Sequence, residues 1–202
     1  MSQTSPALTT AQTSALAMLM SRQSRWPLVA PAPTEAQLHR VLDAAVRAPD
    51  HGRLQPWRFV LIRDAQRAAL GDVFVAAARA RDAEGDAERF RVKAMAAPLI
   101  IALVAHLQPG HKVPESEQLL AVGAATMNML NALHILGYGG FWATGLNSRD
   151  AHVQQALGLS DTEQLLGFLY VGTPKERWRP VERAKGKRFA RDWVPQPVDA
   201  VC

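Results

Sequence analysis

Apolar positions along this chain alternate between helix-period and strand-period blocks. Leu38, Val41, Leu42, Ala45 and Val46 recur at i, i+3, i+4, i+7 and i+8, which gives a helix one apolar face and predicts that it lies on a core. Pro49 stops that helix, because the residue before a proline is pushed out of the α region. Asp50, His51, Gly52 and Arg53 follow as a polar turn; Pro56 blocks helix again, and Trp57, Phe59 and Leu61 alternate within a strand over Trp57–Ile62. Pro98 to His106 (PLIIALVAH) and Leu165 to Gly172 (LLGFLYVG) are continuous apolar runs, the pattern of strands buried on both faces. Glu115 to Leu136 is a long helix. Its apolar part, Leu119–Leu136, contains Asn128, Asn131 and His134, and polar groups of that kind are costly inside a membrane. The pattern predicts a helix buried in a globular core or a subunit interface, where Gly123, Ala124 and Ala125 permit close backbone approach.

Shorter elements fill the remainder. Residues 1 to about 11 have no periodicity and read as a loose arm, followed from Ala11 by a short helix carrying Leu16, Leu19 and Met20 on one side. Pro31 to Glu35 is a linker in which Thr34 and Gln37 have capping-box spacing. Asp64 is placed to cap an alanine-rich helix through Ala80, and a charged stretch without evident chemistry runs on to Lys93. Gly137, Gly139 and Gly140 follow a helix and open a strand, the reverse of a dinucleotide-binding glycine loop. A short helix is expected over Asp150–Leu157.

The 202 residues, 48% hydrophobic, suffice for one core. The net charge of +5 is concentrated late, where Lys175, Arg177, Arg179, Arg183, Lys185, Lys187, Arg188 and Arg191 face only Glu176, Glu182 and Asp192. Such a run serves as a solvated face, or one or two of its members bind phosphate. Nucleic-acid binding is a further reading of the basic run, but no recognition helix or aromatic platform accompanies it. Cys202 is the single cysteine, which excludes an intramolecular disulfide and fits a reducing cytoplasm. His106 and His111 lack a carboxylate or thiol at ligand spacing, so no metal site is expected. No targeting signal is visible.

Candidate chemistry concentrates between Arg47 and Val60, RAPDHGRLQPWRFV, an exposed polar loop held between a helix and a strand. On residue chemistry alone, a plain helix-to-strand connection with Trp57 anchored in the core is the alternative reading of the loop. The pattern of Ala48, Pro49, Gln55, Pro56, Trp57 and Phe59 resembles the flavin-binding loop of the nitroreductase family, FMN-dependent NAD(P)H oxidoreductases, and Asp50-His51 is similar to its short-chain subgroup. About 25 residues earlier, Arg22-Gln23-Ser24 supplies the family's R-x-S element. A dianionic phosphate suits a guanidinium fork and a hydroxyl donor, although arginines there would also favour a helix C-terminus. Gly172-Thr173-Pro174 matches the family's closing (I/L/V)-G-x-P.

The resemblance implies a cofactor site made of Arg22, Gln23 and Ser24 at the FMN phosphate, joined there by Arg183 or Lys185. Arg47 and His51 are implied near the flavin's pyrimidine end, with the strand Trp142-Ala143-Thr144 along its reactive edge. It implies an α+β fold, a mixed sheet of four or five strands flanked by helices, in an intertwined homodimer with FMN at the interface and Phe189–Val194 embracing the partner. Residues 21–194 would form the single domain, 1–20 a flexible arm and the start of the first helix, and 195–202 a tail. The activity implied is NAD(P)H-driven reduction of electron-poor small molecules such as nitroaromatics, quinones or enones, with no side-chain acid, base or nucleophile required for hydride transfer. A flavin-binding or regulatory protein without turnover is the rival reading. The sequence departs from the family where a basic residue usually follows the serine: Trp26-Pro27 stand there, which leaves the cation near the reduced flavin unassigned.

Overall fold

Reciprocal caps start the first two helices. A computed structural model describes residues 7–82, 85–176 and 179–195; residues 1–6 of the expected arm, Arg177 of the basic run, and residues 196–202 with Cys202 lie outside the described residues. Helix α1, Thr10–Ser21, follows Thr9, whose Oγ1 accepts from the Gln12 N–H at 3.2 Å while Gln12 Oε1 accepts from the Thr9 N–H at 2.9 Å. A two-residue strand β1, Leu28–Val29, precedes the expected linker; two residues carry no period, so it had no sequence signature. Helix α2, Glu35–Ala45, is capped by Thr34 and Gln37 as its spacing predicts and buries Leu38, Val41 and Ala45.

Strand β2, Trp57–Arg63, runs one residue beyond the expected end, because Arg63 pairs with Leu99. Helix α3, Asp64–Arg81, therefore has Arg63 and not Asp64 at its cap, and the Arg63 N–H donates to Gln66 Oε1 at 3.1 Å. The charged stretch forms helix α4, Arg89–Ala94. Strand β3, Leu99–His106, is buried at every position but the last. Then come helix α5, Glu115–Ile135; strand β4, Gly139–Ala143; helix α6, Ala151–Ala156; and strand β5, Glu163–Pro174.

The five strands make one sheet in which β5 pairs with β1, β3 and β4, and β3 pairs with β2. Every pairing among the described residues is antiparallel, where a mixed sheet was expected. The connections explain this. Two helices, α3 and α4, return the chain to the end of the sheet it left, so β2 and β3 are antiparallel. The single helix α5 makes β3 and β4 run the same way, but β5 inserts between them and prevents a parallel pair. Period-two alternation then divides the core. Leu99, Ile101, Leu103, Leu169 and Val171 pack on α2 and α5, whereas Ile100, Ala102, Val104, Phe168 and Tyr170 face α3 and α4.

One irregularity shapes the free end of β4. The β3–β5 register slips between Leu103, opposite Gly167, and Val104, opposite Leu165, leaving Leu166 as a bulge that bends β5. Gly167 has φ 136°, and a Cβ there would sit 2.5 Å from the Ala143 carbonyl oxygen. Only glycine lets the two strands approach this closely.

A partly buried ion pair fastens α3 to the segment after β4. Arg81 bonds the Asp150 carboxylate and reaches Asn147 Oδ1 at 3.1 Å, and the Asp150 side chain is only 6% exposed. Burial by itself would raise the Asp150 pKa, but Arg81 and the N–H groups of His152 and Val153 hold it below the usual carboxylate value.

Two outcomes follow from this packing. Gly167→Ala should cost about 1–3 kcal/mol in urea unfolding, and an unchanged midpoint would show that the β4–β5 approach is not tight. A carboxylate whose folded pKa is depressed contributes stability above its unfolded pKa near about 4, which is lost as pH falls through the folded value. The stability gap between wild type and Asp150→Asn should therefore be widest at neutral pH and narrow on acidification below about pH 4; a gap independent of pH would contradict the Arg81–Asp150 pairing.

Candidate active site

Arg22 caps the C-terminal end of α1 with extended backbone, and from there the chain follows the outer edge of β4. The Arg25 N–H donates to the Gly140 carbonyl at 3.3 Å. Main-chain groups alternate sides along a strand, so those of Trp142 face the same outer edge as Gly140. The Gln23 side chain donates from Nε2 to the Arg179 carbonyl at 2.7 Å and holds the C-terminal segment across this edge. Between them lies a cavity of about 340 Å³ lined by Arg22, Gln23, Pro180, Val181 and Arg183, with no carboxylate on its wall among the described residues. Burial, and then the charge of Arg183, lower the Arg22 pKa from the ordinary arginine value. The same positive field, from Arg22 and Arg25, adds to burial in lowering the pKa of His134, whose Nε2 lies 2.9 Å from Ser21 Oγ. Ser24 lines an adjoining cleft with Trp26, Glu176 and Arg179, and Gln23 is shared by both. Two guanidinium groups in one acid-free cleft, with an amide and a hydroxyl beside them, are the donor set of a phosphate dianion.

Trp26 occupies the position where the sequence departs from the expected basic residue. Its ring stands 5.2 Å from Phe141 and 5.6 Å, edge-on, from Tyr170, and Tyr170 lines a second cavity. That cavity, about 300 Å³, is lined by Ala143, Thr144, Gly145, Asn147 and Tyr170 from the β4–β5 side and by Arg89, Phe90 and Lys93 from α4. Burial pushes the Tyr170 hydroxyl up to about 12, so it stays protonated and can donate. Ala143 and Thr144 thus border this space. Trp142 does not; its side chain turns to the other face, where Nε1 donates to the Leu166 carbonyl at 3.2 Å, and only its backbone faces the cleft edge. Arg89 and Lys93 were missed from sequence. Their signal was two cations four residues apart flanking Phe90 in a stretch with no motif.

Arg47 and His51 lie elsewhere in the chain. Trp57, His106 and Glu163 share one end of the sheet and Arg63, Leu99 and Gly172 the other, in the strand order β4, β5, β3, β2. The turn carrying His51 precedes Trp57 at the β2 corner of the first end; Arg22 to Arg25 run beside Gly139 and Gly140 at the β4 corner of the second. The turn itself is well built: Asp50 carboxylate oxygens accept from the N–H groups of Leu54 at 3.1 Å and Gln55 at 2.9 Å, and Gly52 supplies φ 76°. His51 Nδ1 lies 2.7 Å from Glu117 Oε2 in the first turn of α5, and both side chains are solvent-exposed. Of the sequence-predicted residues, one chain therefore brings together Arg22, Gln23 and Arg183, adjoins Ser24, and places Ala143 and Thr144 on the second cavity, which Tyr170 also lines. It does not bring Arg47 and His51 to them.

Similarity to known proteins follows the same elements. A family model described as Nitroreductase family matches residues 19–173. The protein YdjA of Escherichia coli (strain K12), which bears an NAD(P)H nitroreductase name, is 39% identical over 162 residues, 80% of this chain and 88% of its own. A nitroreductase-like family protein from Bacillus cereus has the same fold with TM-score 0.79 at 20% identity, over 94% of this chain and all of that one. A Desulfovibrio desulfuricans protein whose crystal structure contains FMN matches with TM-score 0.68 at 22% identity, over 90% and 98% of the two chains. The chain, with an acid-free arginine cleft along the edge of its sheet, belongs to the nitroreductase family.

Proposed function

We propose that this protein is an FMN-dependent oxidoreductase that takes hydride from NAD(P)H and passes it, in alternating half-reactions, to electron-poor acceptors such as nitroaromatics, quinones or enones. The observation that carries this reading is the Arg22–Arg183 cleft, two cations without a carboxylate, running into the β4 edge in a member of this family. Arg22, Arg183, Gln23 and Ser24 would hold the FMN phosphate, and Trp142, Ala143 and Thr144 would border the ring. When bound, FMN supplies the hydride acceptor and donor chemistry; the protein binds it, orients it and excludes water.

The active unit is proposed to be a homodimer. Arg47 and His51 are three strands away from Arg22 and at the other end of the sheet, so a second copy of the chain is the way to bring them to one flavin. The apolar surface fits such an assembly. Helix α1 buries no residue, Met20 is 77% exposed and Trp193 83% exposed, and Leu16, Leu19, Phe189 and Val194 are exposed as well. Large exposed apolar side chains in such number fit a surface that another copy covers.

The purified protein should be yellow and bleach when NADH or NADPH is added without air, and steady oxidation of the nicotinamide with a quinone would separate an enzyme from a flavin carrier. Arg22→Ala should weaken FMN by tenfold or more, the loss of a charge-assisted contact of about 1.5–3 kcal/mol; unchanged flavin affinity in a fluorescence titration would count against the assignment. Co-expression of Arg22→Ala and Arg47→Ala chains gives mixed dimers in which one site is intact, so FMN binding lost in each variant alone should partly return. No recovery would mean that cleft and turn do not meet across subunits.

A further inference from the structure

The α4 wall of the cavity beside Thr144 carries two cations, Arg89 and Lys93. Arg89 and Lys93 lie one turn apart, and both rest over the Phe90 ring, with Arg89 Cζ 5.0 Å and Lys93 Nζ 4.5 Å from its centroid. Arg81 approaches the same ring at 5.7 Å but is neutralised by Asp150. Arg91, on the same short helix, is paired with Asp72 and Glu88. Arg89 and Lys93 form no ion pair among the described residues. Asp82 and Asp86 line the neighbouring cleft with Arg89, yet neither is bonded to it, and among the described residues no carboxylate lines the cavity beside Thr144.

Like charges at i, i+4 destabilise a helix, and among the described residues the Phe90 ring, not a carboxylate, offsets them here. Both cations, stacked on Phe90, line a space that Phe74, Phe168 and Tyr170 also wall. A guanidinium fork and an ammonium point charge above an aromatic floor suit an anionic group attached to a planar ring.

We propose that Arg89 and Lys93 form an anion-binding rim that selects, for the cavity beside Thr144, a substrate bearing a phosphate or carboxylate. The inference rests on the flavin reading, which makes this cavity the place where reductant and acceptor enter. The anion has two possible sources, the phosphates of the nicotinamide donor and a carboxylate on the acceptor, and the two arms of one experiment distinguish them.

The flavin-loaded Arg89→Gln/Lys93→Gln variant is compared with wild type using NADH and NADPH, and using nitrobenzene against para-nitrobenzoate, which differ by one carboxylate. Binding of NADP+ to the oxidised holoenzyme is followed by calorimetry. Measured on fully flavin-loaded protein, the KM for the anionic substrate should rise about tenfold or more relative to the KM for nitrobenzene. A rise for NADPH together with weaker NADP+ binding assigns the rim to the donor; a rise confined to para-nitrobenzoate assigns it to the acceptor. Added salt should erode the wild-type advantage. The charge-preserving variant Arg89→Lys/Lys93→Arg should recover most of the loss, and its failure to do so would overturn a charge-based role. Unchanged KM values for NADH, NADPH and para-nitrobenzoate in a yellow variant would overturn the rim and leave the flavin reading standing. A wild-type protein that binds no flavin would overturn both.

Discussion

Two guanidinium groups, Arg22 and Arg183, share one cleft with no acid to separate their charges. A protein can carry such repulsion only where rigid surroundings hold it, and the surroundings here are built for that. Helix α1 ends at Ser21 and delivers Arg22. The Arg25–Gly140 hydrogen bond ties the following residues to β4, and the Gln23–Arg179 bond brings the C-terminal segment across. Residues separated by some 160 positions in sequence thus meet because β4 is an edge strand whose outer side is open to them. An anion in this cleft would relieve the repulsion that the folded chain otherwise bears.

The same edge explains why the site extends as it does. β5 is the strand on which the sheet is assembled, paired with β3 on one side and β4 on the other. Its bulge at Leu166 and the glycine at 167 set how near Ala143 comes and therefore where Thr144 borders the cavity. Packing behind the site is continuous with the core through Phe168 against Phe74, 5.2 Å apart. The polar front rests on a hydrophobic wall that resists displacement.

Much of this was legible in the residues. The fully apolar runs specified β3 and β5 because central strands bury both faces, and the Thr34–Gln37 spacing specified the start of α2 because capping is local. The Arg22-Gln23-Ser24 element stood out by its pattern, and the late basic run contains a member, Arg183, that lines one cavity with Arg22. What stayed hidden depended on geometry between distant parts. β1 is two residues long and exists only through its pairing with β5. The strand order that keeps β3 and β4 from pairing directly is a property of β5's insertion, which no periodicity encodes. Arg89 and Lys93 belonged to a stretch whose charges looked like solvated surface until α4 placed them over Phe90. Trp26 appeared as a departure from a motif, whereas in the fold it shares a cleft with Ser24 and packs its ring against Phe141 and Tyr170.

The separation of Arg47 and His51 from Arg22 bears on how the family's fold can work at all. A loop at the β2 corner and a cleft at the β4 corner of one sheet cannot reach a common ligand without disrupting β3 and β5 between them, the most deeply buried strands in the chain. If the turn's ordered geometry, with Asp50 bonding two backbone N–H groups, serves a ligand, it serves one held by another molecule of the same chain. In the proposed homodimer, ligand binding and association would become one equilibrium, since each subunit would complete the other's site and a bound ligand would stabilise the pair by mass action. The exposed apolar face of α1 then has a functional as well as a structural reason to exist, because covering it is what would bring the two kinds of corner together.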